Sequence, residues 1–341
     1  MSEDQRIGQL LMVGLQDDQL SSSEAAAIRA HHIGSVTFIQ TTMVGVAAVR
    51  VVTDAVQALV TSDNTARVRF FVSANQEGGV IQALRGPGFS SIPSAVVQGQ
   101  MDTGELTASW SRWGRELLAA GVNLNLAPVL DVVPPGTDAE NQPIGVLQRE
   151  YGHDPTTVAD RGLAMIRGME RAGVSTTAKH FPGLGRVQGN TDFTAGVTDT
   201  STTSDDPFLF PFRQAIDAGV PFVMVALATY TRIDPNRLAV FSPVVMDDLL
   251  RHRLGFRGVI VSDDLGAARA VESISPGQRA IDFILAGGDM LISKTVTAAT
   301  EMSDGLRSRA ESDPGFRARI DDSVLRVLSA KQAAGLLPCG R

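Results

Sequence analysis

Eight short apolar runs, none of them alternating polar with apolar residues, recur along this chain with room for a helix between neighbours. They occupy residues 10–13, 33–39, 69–73, 122–130, 175–178, 221–226, 258–261 and 290–292. A strand with one wet face alternates. A strand rich in Val, Ile and Leu without alternation is covered on both faces, as in a parallel sheet flanked by helices. The intervening segments read as helices, and several share a start signal: an Asp or Ser cap followed by proline at the first helical position, where a missing N–H costs nothing. The pairs are Asp154-Pro155, Asp206-Pro207, Ser242-Pro243, Ser275-Pro276 and Asp313-Pro314. Gly173 and Gly219 stand where two helices should stop, because glycine adopts left-handed backbone freely. Residues 134–143 read as a long loop after the fourth strand. No Gly/Ser linker tract or compositional step divides the chain. The pattern therefore predicts one α/β domain over residues 1–341, a single (β/α)8 TIM-type barrel, in preference to a six-stranded Rossmann sheet.

Composition narrows the partners. The chain has 341 residues and a formal net charge of −7, with no Lys/Arg-rich block. That balance argues against nucleic acid and anionic membranes as partners. The single cysteine, Cys339, has no internal disulfide partner. The start, Met1-Ser2-Glu3-Asp4, lacks a basic segment followed by a long apolar stretch, so a cytoplasmic protein without a membrane anchor is expected. No HExxH, paired CxxC, EF-hand loop or GxSxG elbow is present, and neither a metal nor a cofactor is expected. His31, His32, His153 and His252 read as surface or helix-end residues.

In a barrel of this kind the chemistry sits at the C-terminal ends of the strands. The residues just past the runs are Asn75-Gln76-Glu77, Asp131, Lys179-His180, Ala228-Thr229-Tyr230, Asp263-Asp264 and Ser293-Lys294. Such polar groups converging on one rim suit a pocket for a polar small molecule. A carboxylate in Ser262-Asp263-Asp264-Leu265 can act as nucleophile or base; capping the next helix is the alternative. Adjacent residues of an extended segment point opposite ways, so one of the two acids should face the pocket. In Lys179-His180-Phe181-Pro182-Gly183-Leu184-Gly185, the lysine and histidine can donate hydrogen bonds to hydroxyls or a carbonyl; a solvated loop is the plainer alternative. The continuation Gln188-Gly189-Asn190-Thr191-Asp192 places another carboxylate where it could fold over the pocket, although turn chemistry also accounts for these residues.

Together these residues resemble glycoside hydrolase family 3, in particular the single-domain bacterial β-N-acetylglucosaminidases that act on cell-wall fragments, with actinobacterial members the most similar. The resemblance rests on Ile7-Gly8-Gln9-Leu10, Met12-Val13-Gly14, Gln76-Glu77-Gly78-Gly79 with Gln82, and Ala127-Pro128-Val129-Leu130-Asp131-Val132. It continues through Arg149-Glu150-Tyr151-Gly152, Asp154-Pro155, the segment 179–185 and the segment 258–265. It implies a (β/α)8 barrel and a retaining mechanism in which a carboxylate, aligned with Asp263, attacks the anomeric carbon and a glycosyl-enzyme is then hydrolysed with help from an acid/base group. A retaining pair of carboxyl groups stands about 5–5.5 Å apart. The resemblance places Asn75, Asp131, Arg149, Lys179 and His180 among the groups that hold the sugar, with Lys179 favouring ionised Asp263.

The chain also departs from the family pattern. Where members carry Asp and His on the loop after the Lys-His motif, this chain has Asn190 and Asp192. Asn75 replaces an aspartate that grips ring hydroxyls, and Val80 and Ala83 replace two arginines. Asparagine makes a weaker, uncharged contact, and the arginine losses remove bidentate donors. Two expectations follow. In one, Asp192 serves as acid/base in a glycosidase of altered sugar preference that releases a terminal β-linked amino sugar from a small-molecule glycoside. In the other, the barrel is repurposed to bind a sugar-like ligand without turnover, or to act on a specialised metabolite.

Overall fold

The computed structural model describes residues 1–16 and 19–338; Cys339 lies outside them. Eight parallel strands close into a barrel in chain order. They are β1 (Leu11–Leu15), β2 (Ser35–Phe38), β3 (Phe71–Ala74) and β4 (Leu124–Asn125), then β5 (Ser175–Phe181), β6 (Phe222–Val225), β7 (Val259–Asp264) and β8 (Met290–Ser293). Closure is made by β8 against β1, with Leu11 opposite Leu291 and Val13 opposite Ser293. The strands are buried almost throughout, as the absence of alternation requires: one face packs inside the barrel, the other under helices. At the N-terminal end, the Phe71 and Phe222 rings meet edge to face at 5.3 Å.

Each of the eight runs overlaps a barrel strand, with two informative differences in extent. The fourth run keeps a regular ladder only over Leu124–Asn125. Pro128 has no N–H to contribute, so the chain leaves the ladder there. It still follows β5, through Lys179 N–H to Pro128 O at 3.0 Å and Leu130 N–H to Lys179 O. The fifth run extends to Phe181, so Lys179 and His180 belong to the strand's end. The register with β6 shifts between Ala178 and Phe181, and both Lys179 and His180 line the cavity.

The helix signals hold locally. Asp154 accepts a hydrogen bond from Thr157 N–H at 2.8 Å at the start of helix Pro155–Ala172, which ends at Gly173 with φ +79°. Asp313 accepts from Phe316 N–H at 3.0 Å and starts the helix Pro314–Ala333. Ser275 precedes Pro276–Leu285 without a side-chain bond to it. Among the described residues, no helix is long and apolar enough to cross a membrane.

Candidate active site

The strands' C-terminal ends surround a cavity of about 310 Å³. Its geometry follows from which way each strand end points. On β7 the two neighbouring acids differ in their surroundings. Asp264 is 1 % exposed, and its carboxylate accepts from the N–H groups of Gly266 at 2.9 Å, Ala267 at 3.1 Å and Lys294 at 2.9 Å. It ties the turn after β7 to the end of β8. Asp263 is half-buried on the cavity wall, and its Oδ1 accepts from Asp264 N–H at 2.8 Å. Both acids border the cavity, but the oxygens of Asp264 are taken by three backbone N–H groups, and Asp263 is the more exposed of the two.

Opposite stands a buried ionic cluster centred on Glu77. Arg149 grips its carboxylate with two bonds of 2.8 Å, and Lys179 Nζ lies 2.6 Å from Oε1. Lys179 also donates to Asn75 Oδ1 at 2.7 Å, and Arg149 to Pro143 O at 2.8 Å. Burial alone would raise the Glu77 pKa, but Arg149 and Lys179 overcome it and hold the carboxyl at about 2. Burial also works against Arg149, where the Glu77 charge prevails and raises it. At Lys179 burial prevails over Glu77, and the lysine is lowered. Asp263 is among the charges favouring the protonated forms of both cations. Two cations against one carboxylate leave a positive excess facing Asp263. Such paired, hydrogen-bonded charges are what a buried site can tolerate.

His180 is fixed from behind. Its Nδ1 bonds Asp131 Oδ2 at 2.7 Å, while Asp131 Oδ1 accepts from the backbone N–H groups of His180 at 3.2 Å and Leu184 at 2.7 Å. With Nδ1 donating to the carboxylate, Nε2 faces the cavity side, 3.5 Å from an Arg149 nitrogen. Asp131 itself is fully buried and does not line the cavity. The expectation that it holds the sugar directly is therefore corrected: both of its oxygens are occupied, and it acts on the site through His180. The strand end after β6 is a second correction. Thr229–Tyr230 joins Thr198–Asp199 and Asp234–Leu238 in a separate small sheet, and the buried Tyr230 hydroxyl donates to Gly183 O at 2.7 Å. Neither residue lines the cavity.

The loop after β5 contributes Asn190, Thr191, Asp192 and Phe193 to the cavity wall. Thr191 and Asp192 accept backbone bonds from Ala270 at 3.2 Å and Arg269 at 3.1 Å, which dock it on the β7 side. Asn190 Oδ1 accepts from Asp192 N–H at 3.0 Å, so the expected turn chemistry is present. Asp192 nevertheless lines the cavity, with Lys294 Nζ 3.1 Å from its Oδ2. Burial works against the Lys294 charge, but Asp192, Asp264 and Asp263 outweigh it and raise the lysine. Val80 and Ala83 also line the cavity, as do Asn75, Arg149, Lys179 and His180.

Sequence reasoning assigned no role to Glu77 or Lys294, although both stood among the rim residues. Their position past β3 and β8 was the available signal. Their partners lie 72 and 102 residues away in the chain, beyond the reach of any local pattern. The resulting site combines a pocket-facing carboxylate, a fixed array of donors across from it and a second carboxylate on the loop after β5. Those elements can hold a polyhydroxylated ligand and attack an electrophilic carbon in it.

The chain is similar to a β-N-acetylhexosaminidase of Beutenbergia cavernae, with 47 % identity and a TM-score of 0.96 over 97 % of this chain and 99 % of that one. A β-hexosaminidase of Vibrio cholerae is 35 % identical over 239 residues, 69 % of each chain. A β-N-acetylglucosaminidase/β-glucosidase of Cellulomonas fimi is 31 % identical over 98 % of this chain and 58 % of its own length. The family described as the glycosyl hydrolase family 3 N terminal domain matches residues 2–330. That span takes in all eight barrel strands and every wall of the cavity, and the chain belongs to glycosyl hydrolase family 3.

Proposed function

We propose that this glycosidase is a retaining enzyme that releases a terminal β-linked N-acetylhexosamine, with Asp263 as its nucleophile. The observation that carries the reading is that, of the two acids bordering the cavity at the end of β7, Asp264 is saturated by backbone N–H groups while Asp263 is the more exposed, on a wall shared with Arg149 and Lys179 of the Glu77 cluster. In this reading Asp263 attacks the anomeric carbon and the bond to the leaving oxygen breaks. Asp192 delivers a proton to that oxygen and then takes one from the water that cleaves the glycosyl ester. Asn75, Arg149, Lys179 and His180 hold the sugar's hydroxyls and polar substituent, with Asp131 keeping His180 in orientation. The similar proteins named above as hexosaminidases support the amino-sugar preference. An anionic Asp192 repels phosphate, which favours water as the acceptor.

The test is turnover of a chromogenic N-acetyl-β-glucosaminide. The native protein is expected to cleave it, and Asp263→Ala to lower kcat by about a thousandfold or more. Absence of turnover across a panel of aryl β-glycosides would refute the reading.

One observation favours the second expectation. Lys294 Nζ stands 3.1 Å from Asp192 Oδ2, so an oxygen that would serve the leaving group is already engaged. A repurposed barrel of this kind would bind the sugar and return it intact after long incubation.

A further inference from the structure

We infer that the leaving group of this enzyme's substrate is apolar and uncharged, and that Phe193 and Val80 select it by contact at the cavity mouth. The inference rests on the glycosidase reading and adds the class of group the sugar is attached to.

Three observations carry it. The first is size. A cavity of about 310 Å³ lies at the small end of ligand sites, so a substrate whose sugar occupies it must project its leaving group out over the rim. The second is the character of that rim. Phe193 is 79 % exposed and Val80 62 % exposed, and both line the cavity. Leu147, Ile39 and Ile81 border it as well and are partly exposed. Gln40 and Thr41 are the exposed polar members and carry no charge. Large apolar side chains gathered in water at the mouth of a polar site are costly unless something covers them. The third is the state of the cations. Arg149 and Lys179 are committed to Glu77, and Lys294 to Asp192. Among the described residues that line the cavity, no other lysine or arginine is present to meet an anionic leaving group. A carboxylate or phosphate there would face Asp192 unpaired, whereas an alkyl or aromatic group would bury Phe193 and Val80.

The experiment compares three glycosides of N-acetylglucosamine whose leaving alcohols have similar acidity: methyl, hexyl and 5-carboxypentyl. For the native protein, kcat/KM for hexyl is expected to exceed that for methyl by about tenfold, expressed in KM. The carboxypentyl glycoside is expected to lose most of that advantage. In Phe193→Ala the hexyl-to-methyl ratio should fall towards one, and Val80→Lys should favour carboxypentyl over hexyl. Both side chains are solvent-exposed, so neither change threatens folding. Equal kcat/KM for the three glycosides, or a hexyl preference that Phe193→Ala leaves intact, would overturn the inference. Should none be hydrolysed, turnover of the aryl glycosides decides the glycosidase reading separately. Calorimetric binding of the same three compounds to the native protein then decides the inference by itself: tighter binding of hexyl supports it and equal binding refutes it.

Discussion

Asp263 and Asp264 have the same side chain and share a strand, yet one is half-buried and the other saturated by backbone N–H groups. The alternation of an extended backbone led to the expectation that one acid would face the pocket; both border it, and burial separates them. Which acid is the buried one depends on the three N–H groups that collect around Asp264. Asp131 shows the converse. A carboxylate at a strand end reads as a ligand, but its two oxygens are filled by His180 and Leu184, and those contacts are set by the bend of the loop. Asp192 supplies the residue-scale prediction. If it protonates the leaving oxygen, Asp192→Ala should slow alkyl glycosides by about a hundredfold while leaving dinitrophenyl glycosides within a few-fold, because a good leaving group departs unassisted. Equal losses for the two substrates would remove Asp192 from that role.

Helix Pro314–Ala333 closes the barrel's N-terminal end with a lysine. Lys331 is fully buried, and its Nζ bonds Gln9 Oε1 and Gly34 O, each at 2.7 Å. Burial pushes its pKa from 10.5 down to about 7. The two bonds match the two N–H donors of a neutral amine. The unfolded chain keeps its proton up to about 10.5, while the folded protein releases it near 7. Stability should therefore rise with pH through that window, by up to about 1.4 kcal/mol per pH unit. Denaturant unfolding of the native protein and Lys331→Met at pH 7 and pH 9 measures this: the native protein should gain on the variant as pH increases. Parallel curves would show that Lys331 does not titrate there. At this scale the caps were readable because Asp-Pro and Ser-Pro act locally, whereas the shortness of β4 follows from one missing N–H at Pro128, within a run whose composition reads as strand.

For the molecule as a whole, the barrel was legible because burying both faces of every strand leaves a signature at each of the eight runs. The rim was legible as a list of residues, since the fold assigns chemistry to strand ends. Its wiring was not. The Glu77–Arg149–Lys179 cluster and the Asp192–Lys294 pair join segments 72 to 102 residues apart, and closure of the barrel is what brings them together. The central claim is that this closure aims the Asp263 carboxyl group at the anomeric carbon of a bound sugar. Its most direct measurement uses a fluorinated N-acetyl-β-glucosaminide with an activated leaving group, which reacts with a nucleophile faster than the resulting ester hydrolyses. Intact-mass analysis followed by peptide mapping should find one sugar per chain, attached at Asp263. Steady turnover of the ordinary substrate with no adduct, or an adduct on another residue, would contradict the account.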